Sequence, residues 1–229
     1  MLEQLKIDVC EANLELKRNN LIIYSWGNVS GIDRDKGIVA IKPSGISYDV
    51  LTPDDIVLLD MDGNVVEGVL NPSSDTPTHL ELYRNFPTIG GVCHTHSLHA
   101  TIWAQACRPI PCLGTTHADY FYGTIPVTAV MSEAQIKSDY ERNTGKVIVE
   151  AFLSLSPDEM PAVLVANHGP FTWGATPAKS VESAVVLEQA AEMALKTSHL
   201  KPDLRPISRP LLDKHYFRKH GKNAYYGQR

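Results

Sequence analysis

Two histidines separated by one residue end an apolar run near the middle of the chain. The run Ile89–Cys93 is followed directly by His94 and then His96. Alternate side chains of a β-strand point to the same face, so this spacing predicts two imidazoles on one face of one strand. A second apolar run, residues 162–167, ends at His168. Two strands that each end in histidine can bring three nitrogen donors together.

Three protein nitrogens with room for a further ligand are typical of a catalytic divalent-metal site rather than of a closed structural one. Imidazole nitrogens suit Zn²⁺ and its first-row neighbours, so Zn²⁺ is the expected cofactor, with Mn²⁺ or Co²⁺ as substitutes. A single histidine in apolar surroundings is more often a satisfied core residue. The strand-end positions and the spacing of these three favour a metal-dependent enzyme.

A carboxylate is the expected fourth ligand, and Asp75 in the polar segment 72–77 is the leading candidate. An aspartate before Thr-Pro is also an ordinary N-cap of a helix. From its position alone, both interpretations stay open.

The size and composition of the chain suit one large α/β domain, or at most two small ones: 229 residues, 43% of them hydrophobic and 21% charged. A formal net charge of −5 excludes the global basic field that is usual in nucleic-acid binding. We find no signal-peptide core, no membrane-length apolar run and no zinc or disulfide pattern among the four cysteines. We therefore expect a cytoplasmic protein with free thiols, no nucleic-acid partner and no membrane partner. Cys93 points away from His94 and is expected to be a small buried hydrophobic residue.

Periodicity and turn signals predict helices interleaved with strands, which favours a mixed sheet covered by helices in one domain. The predicted strands are 21–26, 37–42, 56–61, 65–67, the run into the His-x-His motif, 162–167 and 171–173. The predicted helices run from Leu2 to Leu16, from Asp75 to Pro87, over 97–107, from Ser132 to a break at Thr144-Gly145 and on to Phe152, from Pro177 to Leu195, and over 210–220. Residues 201–210, with three prolines, are predicted to be a linker.

Three short polar turns are candidates for binding an anion: Gly27-Asn28, Ser44-Gly45 and Ser73-Ser74. Each offers backbone N–H groups and a side-chain hydroxyl or amide, and the last precedes a predicted helix N-terminus, where the dipole favours phosphate. Lys42 adds a cation beside the second turn. Ordinary loops have the same composition, and Lys42 is equally compatible with a solvated strand end.

Two further segments carry groups that can move protons. Residues 114–120 are rich in hydroxyls and include Asp119, which is a candidate acid or base but also suits a polar loop. Tyr226 lies in the last few residues, where a tyrosine suggests docking onto something such as a neighbouring subunit. The basic cluster from Lys214 to His220 is, by itself, more typical of a solvated helix face.

Taken together, seven strings along the chain closely resemble the class II aldolase and adducin-head family, and within it the branch that epimerises pentulose phosphates. The strings are residues 25–30 (SWGNVS), 41–45 (IKPSG), 72–76 (PSSDT), 92–97 (VCHTHS), 114–121 (GTTHADYF), 167–171 (NHGPF), and 214–216 (KHY) with 225–228 (YYGQ).

The resemblance implies a single-domain α/β/α sandwich around a mixed, largely antiparallel sheet, assembled as a homotetramer, with the tail 221–229 reaching a neighbouring subunit. The metal ligands that it implies are Asp75, His94, His96 and His168. The substrate-binding residues that it implies are Gly27, Asn28, Lys42, Ser44, Gly45, Ser73, Ser74, Thr115, Thr116 and His215. Asp119 and Tyr226 would be the acid/base pair, with Tyr226 contributed by an adjacent subunit.

The activity implied is the metal-dependent interconversion of L-ribulose 5-phosphate and D-xylulose 5-phosphate by cleavage and rejoining of the C3–C4 bond. The nearest alternative is a class II aldolase acting on a sugar phosphate such as L-fuculose 1-phosphate; such aldolases have Glu where this chain has Asp75. A non-catalytic binding module like the adducin head would lack the metal ligands. Arabinose catabolism is the first expectation for the pathway, with ascorbate or related routes as alternatives.

Overall fold

The computed structural model describes residues 2–221 and 224–226. Over this part of the chain there are seven strands, eight α-helices and one 3₁₀ turn at Pro53–Asp55. The strands are β1 (Asn28–Asp33), β2 (Ile38–Ile41), β3 (Val57–Asp60), β4 (Val65–Glu67), β5 (Gly91–His94), β6 (Ala162–Leu164) and β7 (Pro170–Gly174). The helices are α1 (Leu2–Arg18), α2 (Thr76–Asn85), α3 (Leu98–Gln105), α4 (Thr115–Ala118), α5 (Glu133–Lys137), α6 (Tyr140–Ala151), α7 (Pro177–Leu200) and α8 (Arg209–Lys219).

All seven strands form one sheet in the order β4-β3-β2-β1-β5-β7-β6. Each pairing between neighbouring strands is antiparallel, and an isolated parallel bridge joins Val127 to Leu164. Helices α1 and α7 pack on one face of the sheet. Helix α2 covers the other face and packs against α6. The predicted single-domain α/β/α sandwich with a largely antiparallel sheet is confirmed.

The register of β1 and β5 decides which side chains face the functional side. Asn28 pairs with His94, and the next pair on the same face is Ser30 with Val92. On the other face, Cys93 is buried in an apolar cluster with residues of α1 and α7. Burial raises the pKa of the Cys93 thiol to about 12, so it behaves as the predicted small hydrophobic residue.

The predicted strand over 21–26 is wrong, because the first strand begins only at Asn28. Leu21 instead packs into the cluster beneath α1, and its N–H donates to the carbonyl of Leu16 at the end of that helix. The following turn needs Gly27, whose φ is +88° and whose position leaves no room for a side chain: a Cβ would lie 2.7 Å from the carbonyl oxygen of His94. The apolar run therefore anchors a helix end rather than a strand.

The predicted helix break at Thr144-Gly145 is also wrong. Ser132 forms a capping box at the start of α5, but this short helix ends at Lys137 and a separate helix, α6, starts at Tyr140. Gly145 lies inside α6, where a Cβ would meet the Cβ of Glu81 at 2.6 Å. The glycine therefore permits close packing of α6 against α2 instead of ending a helix.

Two of the histidines lie just outside the strands that were predicted to carry them. Strand β5 ends at His94, so His96 follows it by two residues, and β6 ends at Leu164, so His168 lies in the turn before β7. Thr176 caps α7 by accepting a hydrogen bond from the backbone N–H of Lys179. Within residues 2–221 and 224–226, no helix has both the length and the apolar character of a membrane span.

Candidate metal centre and active site

Three histidines converge where β5 ends and β7 begins. His94, His96 and His168 each offer a ring nitrogen, and these nitrogens lie within 4.8 Å of one another. The ring centroids are 4.9 Å apart for His94 and His96, 4.8 Å for His94 and His168, and 5.1 Å for His96 and His168. The structure therefore brings together the three nitrogen donors that the sequence predicts.

The ring of His94 is fixed from two sides. It stacks on Phe171 with centroids 4.2 Å apart, and its Nδ1 lies 2.9 Å from the carbonyl oxygen of Pro170. A hydrogen bond from Nδ1 to this carbonyl leaves Nε2 as the lone-pair donor, which is how a second interaction orients a metal-binding imidazole. Nδ1 of His168 is buried and has no hydrogen-bond partner among the described residues.

Burial keeps two of these imidazoles neutral near pH 7. It lowers the pKa of His168 to about 4, aided by His94 and His96. Burial also lowers the pKa of His96, again with a contribution from His94. A neutral imidazole retains the lone pair that a cation needs. The buried orphan nitrogen, the all-imidazole donor set and its neutrality fit a divalent metal of the zinc type.

Asp75 occupies the N-cap position of α2, but its side chain makes no capping hydrogen bond. Its carboxylate instead accepts a 2.6 Å hydrogen bond from Nδ2 of Asn28 within the same cavity as the histidines. Burial opposes ionisation of Asp75, yet the neighbouring His94 and His79 lower its pKa below the usual value. This geometry favours the ligand interpretation over the helix cap, although Asp75 is not part of the tight group of three imidazole nitrogens.

The cavity beside the histidines has a volume of about 610 Å³ and brings together the three predicted anion-binding turns. We call these turns, Gly27-Asn28, Ser44-Gly45 and Ser73-Ser74, the anion cradle. Its lining is Ser25, Trp26, Gly27, Asn28, Lys42, Pro43, Ser44, Gly45, Ser73, Ser74, Asp75, His94, His96, Tyr140, Glu141 and His168. All the predicted metal ligands and all the predicted cradle residues therefore lie in one cavity, which we call the metal cavity.

Lys42 is not a solvated strand end, because it is 1% exposed. Its ammonium donates to the carbonyl of Pro43 at 3.2 Å and lies 4.7 Å from the ring centroid of Tyr48. Burial lowers the pKa of Lys42 to about 8. A buried cation beside three polar turns suits an anionic ligand.

Five cavity residues were not predicted as site residues: Ser25, Trp26, Pro43, Tyr140 and Glu141. Tyr140 lies with its ring centroid 6.3 Å from that of His168, Trp26 lies 6.0 Å from His96, and Glu141 follows Tyr140 on the cavity wall. Tyr140 and Glu141 were hidden because they were assigned to the middle of a continuous helix. The polar pair Ser138-Asp139 directly precedes them and is typical of a helix start. This signal could have predicted that a new helix begins at Tyr140, beside the cavity.

Asp119 does not line this cavity; it lies at the end of α4 among basic residues of α8. Its Oδ1 accepts from Nδ1 of His215 and from Nε of Arg218, each at 3.0 Å. Its Oδ2 accepts from Nη2 of Arg218 at 2.6 Å and lies 3.7 Å from Nζ of Lys219. Burial raises the pKa of Asp119, but these bonds outweigh it and leave the pKa below the usual value. The basic segment is therefore not a solvated helix face.

Tyr226 belongs to the same group of residues. Its ring lies 4.6 Å from the guanidinium of Arg218 and 5.0 Å from Nζ of Lys219, and its N–H donates to the carbonyl of Arg218. We call Asp119, His215, Arg218, Lys219 and Tyr226 the Asp119 cluster. The two predicted proton carriers thus lie in one cluster. The tail 221–229 was also predicted to reach a neighbouring subunit, and its residues 222–223 and 227–229 lie outside the described residues.

The Asp119 cluster and the metal cavity lie toward opposite ends of β5. Lys219 lines a second cavity with Ile89 and Gly174. Gly174 pairs with Gly91 at the start of β5, whereas His94 is its last residue. A four-residue strand separates its ends by about 10 Å. Thr115 and Thr116, at the start of α4, also do not line the metal cavity. One chain therefore does not place these predicted substrate contacts beside the metal ligands.

Residues 7–195 match the family described as Class II Aldolase and Adducin N-terminal domain, and the chain belongs to this family. Its sequence is 53% identical over 228 residues to the protein named L-ribulose-5-phosphate 4-epimerase UlaF of Salmonella paratyphi C (strain RKS4594), with 100% of both chains covered. The same identity and coverage hold for the protein of that name in Salmonella typhi.

The fold is similar to that of solved class II aldolases. An L-fuculose 1-phosphate aldolase superposes with a TM-score of 0.77 at 26% identity, covering 94% of this chain and 95% of that one. The L-fuculose 1-phosphate aldolase from Glaciozyma antarctica PI12 also has a TM-score of 0.77, at 19% identity, with 97% of this chain and 84% of that one covered. The second likeness concerns the fold alone. The family expected from the sequence is confirmed.

Proposed function

We propose that this chain is a metal-dependent epimerase that interconverts L-ribulose 5-phosphate and D-xylulose 5-phosphate. The observation that carries the proposal is the convergence of His94, His96 and His168 beside the anion cradle, in a chain 53% identical over its full length to a protein named as such an epimerase. A pentulose phosphate has the two features that this cavity can recognise, a carbonyl–hydroxyl pair and a phosphate.

The three histidines, with Asp75 beside them, would hold the divalent metal, for which Zn²⁺ suits the imidazole nitrogens best and Mn²⁺ or Co²⁺ are substitutes. When bound, such an ion acts as a Lewis acid toward the carbonyl and hydroxyl oxygens of a substrate. The hydrogen bond from Nδ1 of His94 to Pro170 fixes which nitrogen of that ring is available. Asn28 holds the Asp75 carboxylate in the cavity at 2.6 Å.

Inversion at C4 by removal of its hydrogen is unfavourable, because no carbonyl is adjacent to that carbon. We infer that a base instead takes the proton of the C4 hydroxyl, and that the C3–C4 bond breaks with its electron pair remaining on the three-carbon fragment. The other product is glycolaldehyde phosphate, whose aldehyde turns and presents its opposite face before the bond forms again. The anion cradle with Lys42 would hold the phosphate through this rotation, so that the fragment does not escape.

Two proton carriers on opposite faces of the aldehyde are needed, and we assign these roles to Asp119 and Tyr226. Their position toward the far end of β5 supports the proposal that both reach a metal cavity from a neighbouring subunit, in a homotetramer whose active sites lie between chains. Thr115, Thr116 and His215 would enter the site with them. His215 already contacts Asp119 at 3.0 Å and would orient it.

The direct test is a coupled assay of the purified, zinc-loaded protein with L-ribulose 5-phosphate. We expect D-xylulose 5-phosphate as the main product, and activity that is lost on treatment with EDTA and returns with Zn²⁺. Net release of dihydroxyacetone without the epimer would identify an aldolase on the same fold, such as one acting on L-fuculose 1-phosphate. A metal-free protein indifferent to EDTA would identify a binding module.

Hybrid oligomers test the origin of the proton carriers. We expect that His96→Asn and Tyr226→Phe subunits each have strongly reduced activity as pure oligomers. When the two variants are unfolded together and reassembled, active sites that combine a wild-type metal cavity with a wild-type Asp119 cluster should restore part of the activity. Hybrids as inactive as their parents would show that each chain supplies its own proton carriers.

We extend the proposal to the cellular location and the pathway of the enzyme. All four cysteines are free, and we propose that the enzyme works in the cytoplasm. Arabinose catabolism remains the first prediction for the pathway, with ascorbate or related pentose routes as the alternatives that a genomic neighbourhood would distinguish.

A further inference from the structure

The three turns of the anion cradle come from distant parts of the chain and are joined by specific hydrogen bonds. The second and third turns are joined through the backbone: N–H of Ser44 donates to the carbonyl of Asn71 at 2.9 Å, and N–H of Ser73 donates to the carbonyl of Lys42 at 3.1 Å. The first and third turns are joined by Asn28, whose Nδ2 donates to Oγ of Ser73 at 3.0 Å. A rigid cradle also needs a link between the first and second turns.

Tyr48 supplies that link. It follows the Ser44-Gly45 turn by three residues and is 3% exposed. Its hydroxyl donates a 2.8 Å hydrogen bond to the carbonyl of Gly27, in the first turn. Gly27 has no side chain and a φ of +88°, so its backbone direction depends on what holds it in place.

The ring of Tyr48 has a second contact, with the cation of the cradle. The ammonium of Lys42 lies 4.7 Å from the ring centroid, within the range of a cation–π interaction. The other contact of this ammonium is the carbonyl of Pro43, and no carboxylate among the described residues forms an ion pair with it. The ring therefore steadies a buried ammonium without neutralising its charge, which stays available to an anion.

We propose that Tyr48 is a positioning residue that closes the anion cradle: its hydroxyl fixes the Gly27 turn, and its ring holds Lys42 toward the phosphate of the substrate. The proposal rests on the proposed function only for the identity of the sugar that carries the phosphate. Tyr48 does not line the cavity and acts through the groups that do. Its effect is therefore on phosphate affinity rather than on bond cleavage.

The test compares two Tyr→Phe variants that each remove one buried hydroxyl. Tyr48→Phe loses the bond to Gly27 and keeps the ring near Lys42. Tyr83→Phe is the matched control, because Tyr83 is equally buried at 1% exposure and its hydroxyl bonds to Ser30 at 2.8 Å, outside the cradle. Binding of inorganic phosphate to the zinc-loaded proteins is measured by calorimetry, together with zinc content and melting temperature.

We expect Tyr48→Phe to weaken phosphate binding by about 3- to 10-fold, the range for one lost hydrogen bond, with zinc content unchanged. Tyr83→Phe should bind phosphate like the wild type even if its melting temperature falls. With L-ribulose 5-phosphate as substrate, Tyr48→Phe should raise KM and leave kcat nearly unchanged. Tyr48→Leu, which also removes the ring from Lys42, should weaken phosphate binding further.

Three results would overturn the role of Tyr48: unchanged phosphate affinity in Tyr48→Phe, equal weakening in both Phe variants, or no phosphate binding by the wild type. The phosphate measurement needs no turnover. If Tyr48→Phe weakens phosphate binding selectively while the wild type shows no epimerase activity, the proposed function fails and the role of Tyr48 stands.

Discussion

The metal cavity and the Asp119 cluster differ in how completely their polar groups are satisfied. In the cavity, Oδ1 of Asn28 and Nδ1 of His168 are buried without hydrogen-bond partners among the described residues. In the Asp119 cluster, both carboxylate oxygens of Asp119 contact basic side chains, with Arg218 binding in a fork. Buried polar atoms are normally paired, so two unpaired ones in the lining of one cavity agree with a ligand binding there.

This difference agrees with our proposal that a single chain supplies only part of each active site. The cavity is preformed: its histidines converge, its cradle is assembled, and only ligands are needed. The carboxylate of Asp119 is already paired with basic side chains of its own chain, so the proton-transfer role that we propose for it requires a substrate held in another cavity. Such a division suits an active site assembled from two subunits, one supplying the binding groups and the other the proton carriers.

The largest expected effect comes from removing a predicted metal ligand, which changes the metal cavity and leaves the Asp119 cluster intact. Because His96→Asn removes one of three nitrogen donors, it should reduce zinc content and lower kcat/KM on the order of 10³-fold together. Metal content by atomic absorption and the coupled assay measure the two quantities. His199→Asn, at an exposed position of α7, is the control and should match the wild type. Full zinc content in His96→Asn would remove His96 from the donor set.

Tyr226→Phe should act on the other region alone. Loss of one proton carrier lowers turnover by about 10²-fold. The proposed metal ligands lie in a separate cavity, so zinc content, melting temperature and phosphate affinity should stay at wild-type values. Steady-state kinetics beside these three measurements check the prediction. The difference between the regions would disappear if Tyr226→Phe also lost metal, and a fully active variant would end the role of the tail in catalysis.

Acid should lower the free energy of unfolding of the metal-free protein, because each region has a buried histidine nearby that is neutral in the folded protein. Burial lowers the pKa of His117, on α4, to about 4, and that of His79, on α2, to about 3. Between pH 6.5 and 4 the unfolded chain binds more protons at these residues than the folded one, so stability is lost as pH falls through this window. Each histidine should cost about 2 kcal/mol of unfolding free energy between pH 7 and pH 5.

Urea unfolding of the metal-free protein at the two pH values measures this loss. Because glutamine does not titrate, His117→Gln should lose about 2 kcal/mol less unfolding free energy than the wild type between pH 7 and pH 5. An unchanged pH dependence in this variant would show that His117 takes up its proton over the same pH range in the folded and the unfolded protein.

The smallest effect concerns the helix that follows His96. Glu188, on α7, accepts from the backbone N–H groups of His99 and Ala100 at 2.8 and 3.0 Å, and so caps α3 from a distance. Glu188→Gln keeps the shape but removes the charge and one acceptor, which should cost about 1–2 kcal/mol in urea unfolding. Glu192→Gln, one turn further along α7, should be within about 0.5 kcal/mol of the wild type. Equal losses in both would argue against the cap.

The metal-binding half of the site could be predicted from the sequence because its signals are local. His94 and His96 follow one apolar run and His168 another, and antiparallel pairing of β5 with β7 brings the ends of the runs together. The prediction did not depend on the exact strand ends, because the three imidazole rings converge even though His96 lies two residues beyond the end of β5. The cradle turns were likewise visible as glycine- and serine-containing breaks next to strands.

The other half depends on long-range packing that no local pattern reports. Asp119 meets His215 and Arg218 across nearly a hundred residues of sequence, so the basic segment was interpreted as solvated. Residues 21–26 have strand composition, yet packing beneath α1 overrides that preference. Asp75 illustrates an intermediate case: sequence offered two interpretations, and only the direction of the carboxylate distinguishes them.

The contact between α2 and α6 at Gly145 has a consequence for the volume of the cavity. Tyr140 and Glu141 form part of the cavity wall and begin the helix in which Gly145 lies five residues later, about 7.5 Å along the axis. A single methyl group at that position would lie 2.6 Å from Glu81 and force the two helices apart. Gly145 does not line the cavity, yet its lack of a side chain sets the distance between α2 and α6 and so the position of the cavity wall. We therefore expect Gly145→Ala to change the shape of the cavity.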